Sequence, residues 1–151
     1  MSDLYDEFNE RWTGVDPLYA PPSPARDLTF AERFEGEMTN GGIAQFLWNY
    51  FPRWEETLDG AERAYRAMGA EKQLAALAAV RAVLRENAPL CAKRLALAKN
   101  EEEPGQAFEV WFASAEERMA LPVEELFYPD EPDHAAKRLA YLEANRATLL
   151  A

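Results

Sequence analysis

The sequence predicts an all-α fold, a single-domain bundle of about seven or eight helices. Apolar residues recur at three- and four-residue spacing along nearly the whole chain. No stretch alternates apolar and polar residues over the length of a strand. Proline clusters and glycine steps close the periodic stretches. The chain has 151 residues, the length of one ordinary domain. Folding a chain of that size buries roughly 70% of the surface the unfolded chain exposes, enough for a core without disulfides or a structural metal. Residues 1–151 therefore read as one domain, with residues 1–27 as an N-terminal helix plus a Pro-rich connector packed on it.

Leu4, Tyr5, Phe8 and Trp12 form the first stripe, with Ser2 as the expected N-cap. Asp16 to Asp27 contains Pro17, Pro21, Pro22 and Pro24 and reads as a loop, because proline removes donors and favours extended backbone. Thr29 and Glu32 have capping-box spacing, and Phe30, Phe34 and Met38 follow at helical spacing. Asn40-Gly41-Gly42 is expected to stop that helix. Ile43, Phe46, Leu47, Tyr50 and Phe51 form the next stripe, which Pro52 ends. Leu58, Ala61, Tyr65 and Met68 mark a helix closed by Gly69. Leu74, Leu77, Val80 and Leu84 mark another that stops before Pro89, leaving Leu90 to Asn100 as a shorter, weaker helix. Glu101 to Gly105 reads as a turn. Phe108, Trp111, Phe112, Ala115 and Met119 make the strongest stripe of the C-terminal half and are expected in the core. Pro122 opens a short helical turn through Phe127, Pro129 to Asp133 is a loop, and Leu139, Leu142 and Leu149 belong to one last helix.

The net charge is −11 and its distribution is uneven. Residues 1–37 hold nine acids against Arg11, Arg26 and Arg33, whereas residues 38–99 hold nine bases against six acids. Residues 100–136 hold eleven acids against Arg118 alone. A field of this sign repels nucleic acid and anionic lipid and attracts cations or basic protein surfaces. Acidity also serves solubility alone, and the charge count does not separate the two roles. The N-terminus carries acid where a secretory signal needs base, and no apolar run approaches the roughly 18 residues of a membrane span. One cysteine, Cys91, excludes an intramolecular disulfide. A cytoplasmic location is expected.

Enzyme chemistry is poorly represented. The single histidine, His134, sits beside Asp133 at an expected helix start, where a solvated histidine is ordinary. One cysteine and one histidine cannot make a zinc ligand set. Glu101 to Glu103 and Asp130, Glu131 and Asp133 do not match the spacing of a twelve-residue calcium loop. No P-loop and no GxGxxG occurs, and Asn40-Gly41-Gly42 reads as a tight turn rather than an anion site. No catalytic residue, metal ligand or cofactor is expected. Gln45 and Asn49 lie at i, i+4 opposite the apolar face of their helix, and Trp48 lies between the two faces. A helix with aromatics on nearly every side is buried broadly, so Gln45 and Asn49 are expected to be buried with hydrogen-bond partners.

The run Glu37-Met38-Thr39-Asn40-Gly41-Gly42-Ile43-Ala44-Gln45-Phe46-Leu47-Trp48-Asn49 resembles the E-x-x-NGGF-x-QF-x-x-N signature of a bacterial all-helical family named for DNA mimic protein 19. Ala64 to Ala70 resembles its A-L-x-x-I-G-A stretch. Leu126-Phe127-Tyr128 and Leu139 to Leu142 resemble its C-terminal elements. Ile43 replaces the family's Phe, and Tyr65 its Leu. The resemblance implies a helical bundle, a non-enzymatic protein, and one candidate activity: imitating the charge of DNA to occupy a DNA-binding protein. The structural residues it implies are Glu37, Asn40, Gly41, Gly42, Gln45, Phe46 and Asn49.

The leading expectation is an acidic module that binds a basic protein, a DNA-binding protein or regulator being the candidate. Its surface would comprise Glu101, Glu102, Glu103, Glu109, Glu116, Glu117, Glu124, Glu125, Asp130, Glu131 and Asp133. An immunity-type protein that caps a toxin enzyme by charge complementarity is the rival, and an enzyme with a carboxylate-lined pocket is the third reading. Neither direct nucleic-acid nor membrane binding is expected. The oligomeric state is left open, a homodimer included.

Overall fold

The computed structural model describes residues 3–99, 104–119 and 132–151. The elements, in chain order, are α1 (Asp3–Trp12), a 3-10 turn (Pro17–Tyr19), α2 (Pro24–Asn40), α3 (Gly42–Tyr50), α4 (Trp54–Met68), α5 (Glu71–Lys99), α6 (Pro104–Met119), α7 (Pro132–Ala144) and α8 (Arg146–Leu149). The all-α architecture expected from the sequence is the observed one. Ser2 and the expected turn over 122–127 lie outside the described residues.

α6 begins at Pro104 and α7 at Pro132, inside stretches read from the sequence as a turn and a loop, and three further boundaries differ for local reasons. α2 starts before Thr29: the Ser23 hydroxyl accepts the Arg26 N–H at 3.0 Å. Pro24 takes the first helical position, where a missing N–H has no consequence. Thr29 is interior to the helix, its hydroxyl donating to the Ala25 carbonyl at 2.9 Å. The proline-rich run therefore ends in a helix start. Pro89 does not divide α5 into two helices. Its ring removes the donor for the Arg85 carbonyl, but Arg85 and Pro89 both lie on the exposed side, where water can satisfy that oxygen. The last helix breaks at Asn145, whose side-chain amide and backbone N–H both donate to the Tyr141 carbonyl, at 2.9 and 3.1 Å.

The core is centred where α2, α3 and α4 meet. Leu28, Phe30, Phe34, Met38, Ile43, Phe46, Leu47, Leu58, Ala61 and Tyr65 are all buried there. α2 lies against α4 so closely that a Cβ on Gly60 would sit 2.4 Å from the Phe30 ring. Phe46 meets Phe34 edge-on at 5.4 Å and stacks on Tyr50 at 4.9 Å. α5 and α6 extend this core: Leu77, Val80, Leu84, Leu95, Ala115 and Met119 are buried. Trp111 is 4% exposed and packs on Trp48 at 5.8 Å, which explains why Trp48 lies between the faces of α3.

Trp111 anchors α6 to α3, so Trp111→Ala is expected to cost on the order of 3–5 kcal/mol. Urea unfolding checks this; near-wild-type stability would show that Trp111 is peripheral to the core.

Candidate functional site

The acids expected to face a partner are only partly placed. Glu109 is exposed on α6, next to Val110, which is 69% exposed. Asp133 is exposed on α7 and pairs with Lys137 at 3.1 Å. Glu116 and Glu117 lie on α6, with their side chains outside the described residues, as is that of Cys91 on α5. Glu101, Glu102, Glu103, Glu124, Glu125, Asp130 and Glu131 lie outside the described residues altogether.

The body of the protein largely closes its own charge. Arg63 grips Asp27 through two nitrogens at 2.9 Å each. Arg81 meets Asp59 at 3.0 Å, and Arg85 meets Glu55 at 3.5 Å. Glu56 receives Arg53 at 2.9 Å and buried Arg26 at 2.7 Å, and these bonds, Arg53 first, hold its carboxyl below the usual range. Arg26 also donates to the Pro17 carbonyl at 2.7 Å, which fixes the connector against α2 and α4. The described residues sum to a charge of −4; the other −7 falls on residues 100–103 and 120–131, which carry seven acids and no base.

The Asn-Gly-Gly segment builds a polar clasp between α2 and α3. Gly42 has φ +76°, a left-handed turn that lets α3 start directly after α2. Glu37 in the last turn of α2 accepts the Gln45 amide at 2.6 Å and the Asn49 amide at 2.9 Å. Gln45 passes so close to Gly41 that a Cβ there would lie 2.7 Å from the Gln45 Cβ. Phe46 points the other way, fully buried in the core. Asn40 is exposed at the end of α2. The expected hydrogen-bond partners are therefore present, but the expected burial is corrected: Gln45 is half-buried and Asn49 is exposed. On the face of α3 opposite its apolar stripe, the Glu37 side chain is the acceptor for both amides.

A second polar cluster was not foreseen. His134, expected to be solvated, is 3% exposed, with its Nε2 2.5 Å from a Glu35 carboxylate oxygen. One turn further along α7, Arg138 lies 3.5 Å from Glu32 and over the Tyr5 ring at 4.2 Å. The Tyr5 hydroxyl donates to Glu32 at 2.5 Å. The Tyr65 hydroxyl is buried beside Glu35, and its ring meets His134 edge-on at 6.0 Å. Burial pushes the Glu32 carboxyl up to about 7 against the pull of Arg138, with Glu35 adding to the rise. Burial first, and Glu32 second, push Tyr5 up to about 12. Tyr65 is raised well above its usual range, by burial and then by Glu35. The spacing held the signal: His134, Arg138 and buried Leu142 form one i, i+4, i+8 stripe, and Leu28, Glu32 and Glu35 another at i, i+4, i+7. No group of three His, Cys, Asp or Glu side chains suited to a metal ion occurs among the described residues.

These features define an all-helical protein whose central helix pair is closed by a Glu–Gln–Asn clasp over an Asn-Gly-Gly turn. The chain belongs to the DMP19-like protein family, whose model matches residues 20–145. Comparison with curated proteins gives no match, and comparison with solved structures gives none. Of the residues shared with the family signature, Glu37, Gln45 and Asn49 join α2 to α3 and Phe46 packs in the core.

Glu37 serves two donors with one carboxylate, so Glu37→Ala is expected to destabilise by about 1–3 kcal/mol. Asn49→Ala, at an exposed position, is expected to cost under about 1 kcal/mol. Gly41→Ala must displace Gln45 and is expected to resemble the Glu37 variant. Thermal melts of the three variants test this order, and an Asn49 effect as large as that of Glu37 would overturn it.

Proposed function

We propose that the chain is a non-enzymatic, acidic, cytoplasmic module that occupies a basic protein, in the manner of a DNA mimic covering the DNA-binding face of a regulator. Membership of the DMP19-like family supports this reading. The observation that carries it is the placement of charge. Eleven acids against Arg118 alone fall on residues 100–136, whereas acids of the bundle such as Asp27, Glu56 and Asp59 pair with its own bases. Duplex DNA offers one charge per roughly 1.7 Å of axis, and a competitor for the same protein has to offer a comparable density of anions. No described helix is long and apolar enough to cross a membrane.

Attraction between exposed charges is screened over about 8 Å at physiological ionic strength, so capture of the partner is expected to weaken as salt rises. A pull-down from native lysate at low and high salt supplies the partner. Titration calorimetry then compares wild type with a variant in which Glu116, Glu117, Glu124 and Glu125 are reversed to Lys. The variant is expected to stay helical by circular dichroism and to bind at least about tenfold more weakly, ~1.4 kcal/mol. Duplex DNA is expected to compete with wild type for the partner. A folded variant that binds as tightly as wild type, or a partner indifferent to DNA, would end the mimic reading.

A further inference from the structure

We infer that the connector between α1 and α2, with the groove between it and α3, is a docking surface for an arginine or lysine side chain of a basic protein. The inference takes its class of partner from the proposed function, but it places a contact on the bundle itself, outside residues 100–136.

The connector is held more firmly than a linker needs. Gly14 turns the chain out of α1 with φ +74°. Three arginines take the carbonyls on either side of it. Arg33 of α2 donates to Trp12 and Val15 at 3.1 and 3.0 Å, Arg26 of α2 to Pro17 at 2.7 Å, and Arg53 to Leu18 at 2.9 Å. Asp16 caps the 3-10 turn by accepting the Leu18 N–H at 2.9 Å. A surface fixed in this way loses little conformational entropy when a partner arrives. It also presents apolar area. Of the three large apolar side chains exposed among the described residues, two lie here: Val15 at 40% and Tyr19 at 83%. The Tyr19 ring already faces one guanidinium, that of Arg53 at 5.7 Å.

Beside Val15 a groove of about 300 Å³ runs between the connector and α3. Val15, Leu18 and Tyr50 give it apolar surface, and Asp16, Asn49 and Arg33 line it with polar groups. The Asn49 amide nitrogen donates to Glu37, and its oxygen is an acceptor. A carboxylate has acceptor sites beyond the one that the Asp16 cap uses. Arg33 spends donors on the Trp12 and Val15 carbonyls, and at Tyr50 its charge is set against two carboxylates, Glu37 and Asp16. Apolar walls with an acidic, acceptor-rich lining fit a long cationic side chain, whose stem packs while its head meets Asp16. An anion would face the same two carboxylates with the wrong sign.

Proton–nitrogen NMR of the full chain, titrated at low salt with acetyl-Gly-Arg-Gly-amide, tests the surface. The peptide is expected to shift residues 14–18, Asn49 and Tyr50. Its citrulline counterpart, equal in shape but neutral, is expected to leave them unmoved. Asp16→Asn keeps an acceptor for the cap and removes the charge, and is expected to weaken binding about three- to fivefold. Shifts that spare the connector, equal binding of the citrulline peptide, or full affinity in folded Asp16→Asn would overturn the inference. Should that variant fail to fold, Asn49→Lys sets a cation in the groove and is expected to abolish the connector shifts; their persistence would refute the docking surface. None of these outcomes bears on the proposed function, which stands or falls on the charge-reversed variant and its partner.

Discussion

Every acid of α2 is committed to another helix of the bundle, and the arrangement of the other helices follows from that. Asp27 takes Arg63 of α4, Glu32 takes Tyr5 of α1 and Arg138 of α7, Glu35 takes His134 of α7, and Glu37 takes Gln45 and Asn49 of α3. A carboxylate left unmatched in a partly buried site is costly, so each acts as a demand that a neighbour of the right chemistry be in place. The apolar side of the same helix packs against α3 and α4 through Phe30, Phe34 and Met38. One helix therefore supplies the core with its surface area and its neighbours with their registers.

The two contributions are unequal in kind. Burial of aromatic and aliphatic surface stabilises whatever arrangement achieves it, and it tolerates slippage between similar side chains. Ion pairs removed from water add little net stability, because desolvation offsets most of the attraction, but a displaced pair leaves a stranded charge. On α4 the two act together: Gly60 admits the Phe30 ring, and the Arg63–Asp27 fork fixes the position along the axis. On α7 polar contacts dominate the N-terminal half, where the inward stripe is a histidine and an arginine.

The fold class was legible because helical periodicity depends only on which positions are apolar. Boundaries were legible where one residue type has one physical reading, as at Asn40-Gly41-Gly42 and Gly69. They were misread where a residue's effect depends on its surroundings. The Arg85 carbonyl that Pro89 leaves without its donor needs another donor for the helix to continue, and on an exposed face water can supply it. Thr29 and Glu32 have capping spacing, yet Ser23 caps the helix first and leaves both in its interior. The clasp was half legible: an i, i+4 pair of amides implies an acceptor, but not how deep it lies. His134 was misread because a lone histidine next to an aspartate looks solvated until Arg138 and Leu142 are counted on the same face.

This also changes what the charge distribution means. Nine acids in residues 1–37 resemble an acidic surface, but the four on α2 are partners of other helices. The surplus of bases in residues 38–99 resembles a basic face, but Arg53, Arg63, Arg81 and Arg85 are all engaged with acids. Both apparent patches are thus engaged within the fold, although of these ion pairs only Asp27–Arg63 joins one stretch to the other. Residues 100–103 and 120–131 carry seven acids and no base, and so hold most of the net charge of −11. Solubility is served as well by acids dispersed over the surface as by acids concentrated in sixteen residues. Concentration serves a field with direction, which raises the encounter rate with a surface of opposite sign. Recognition of a basic partner, as proposed, would be built from this concentrated charge.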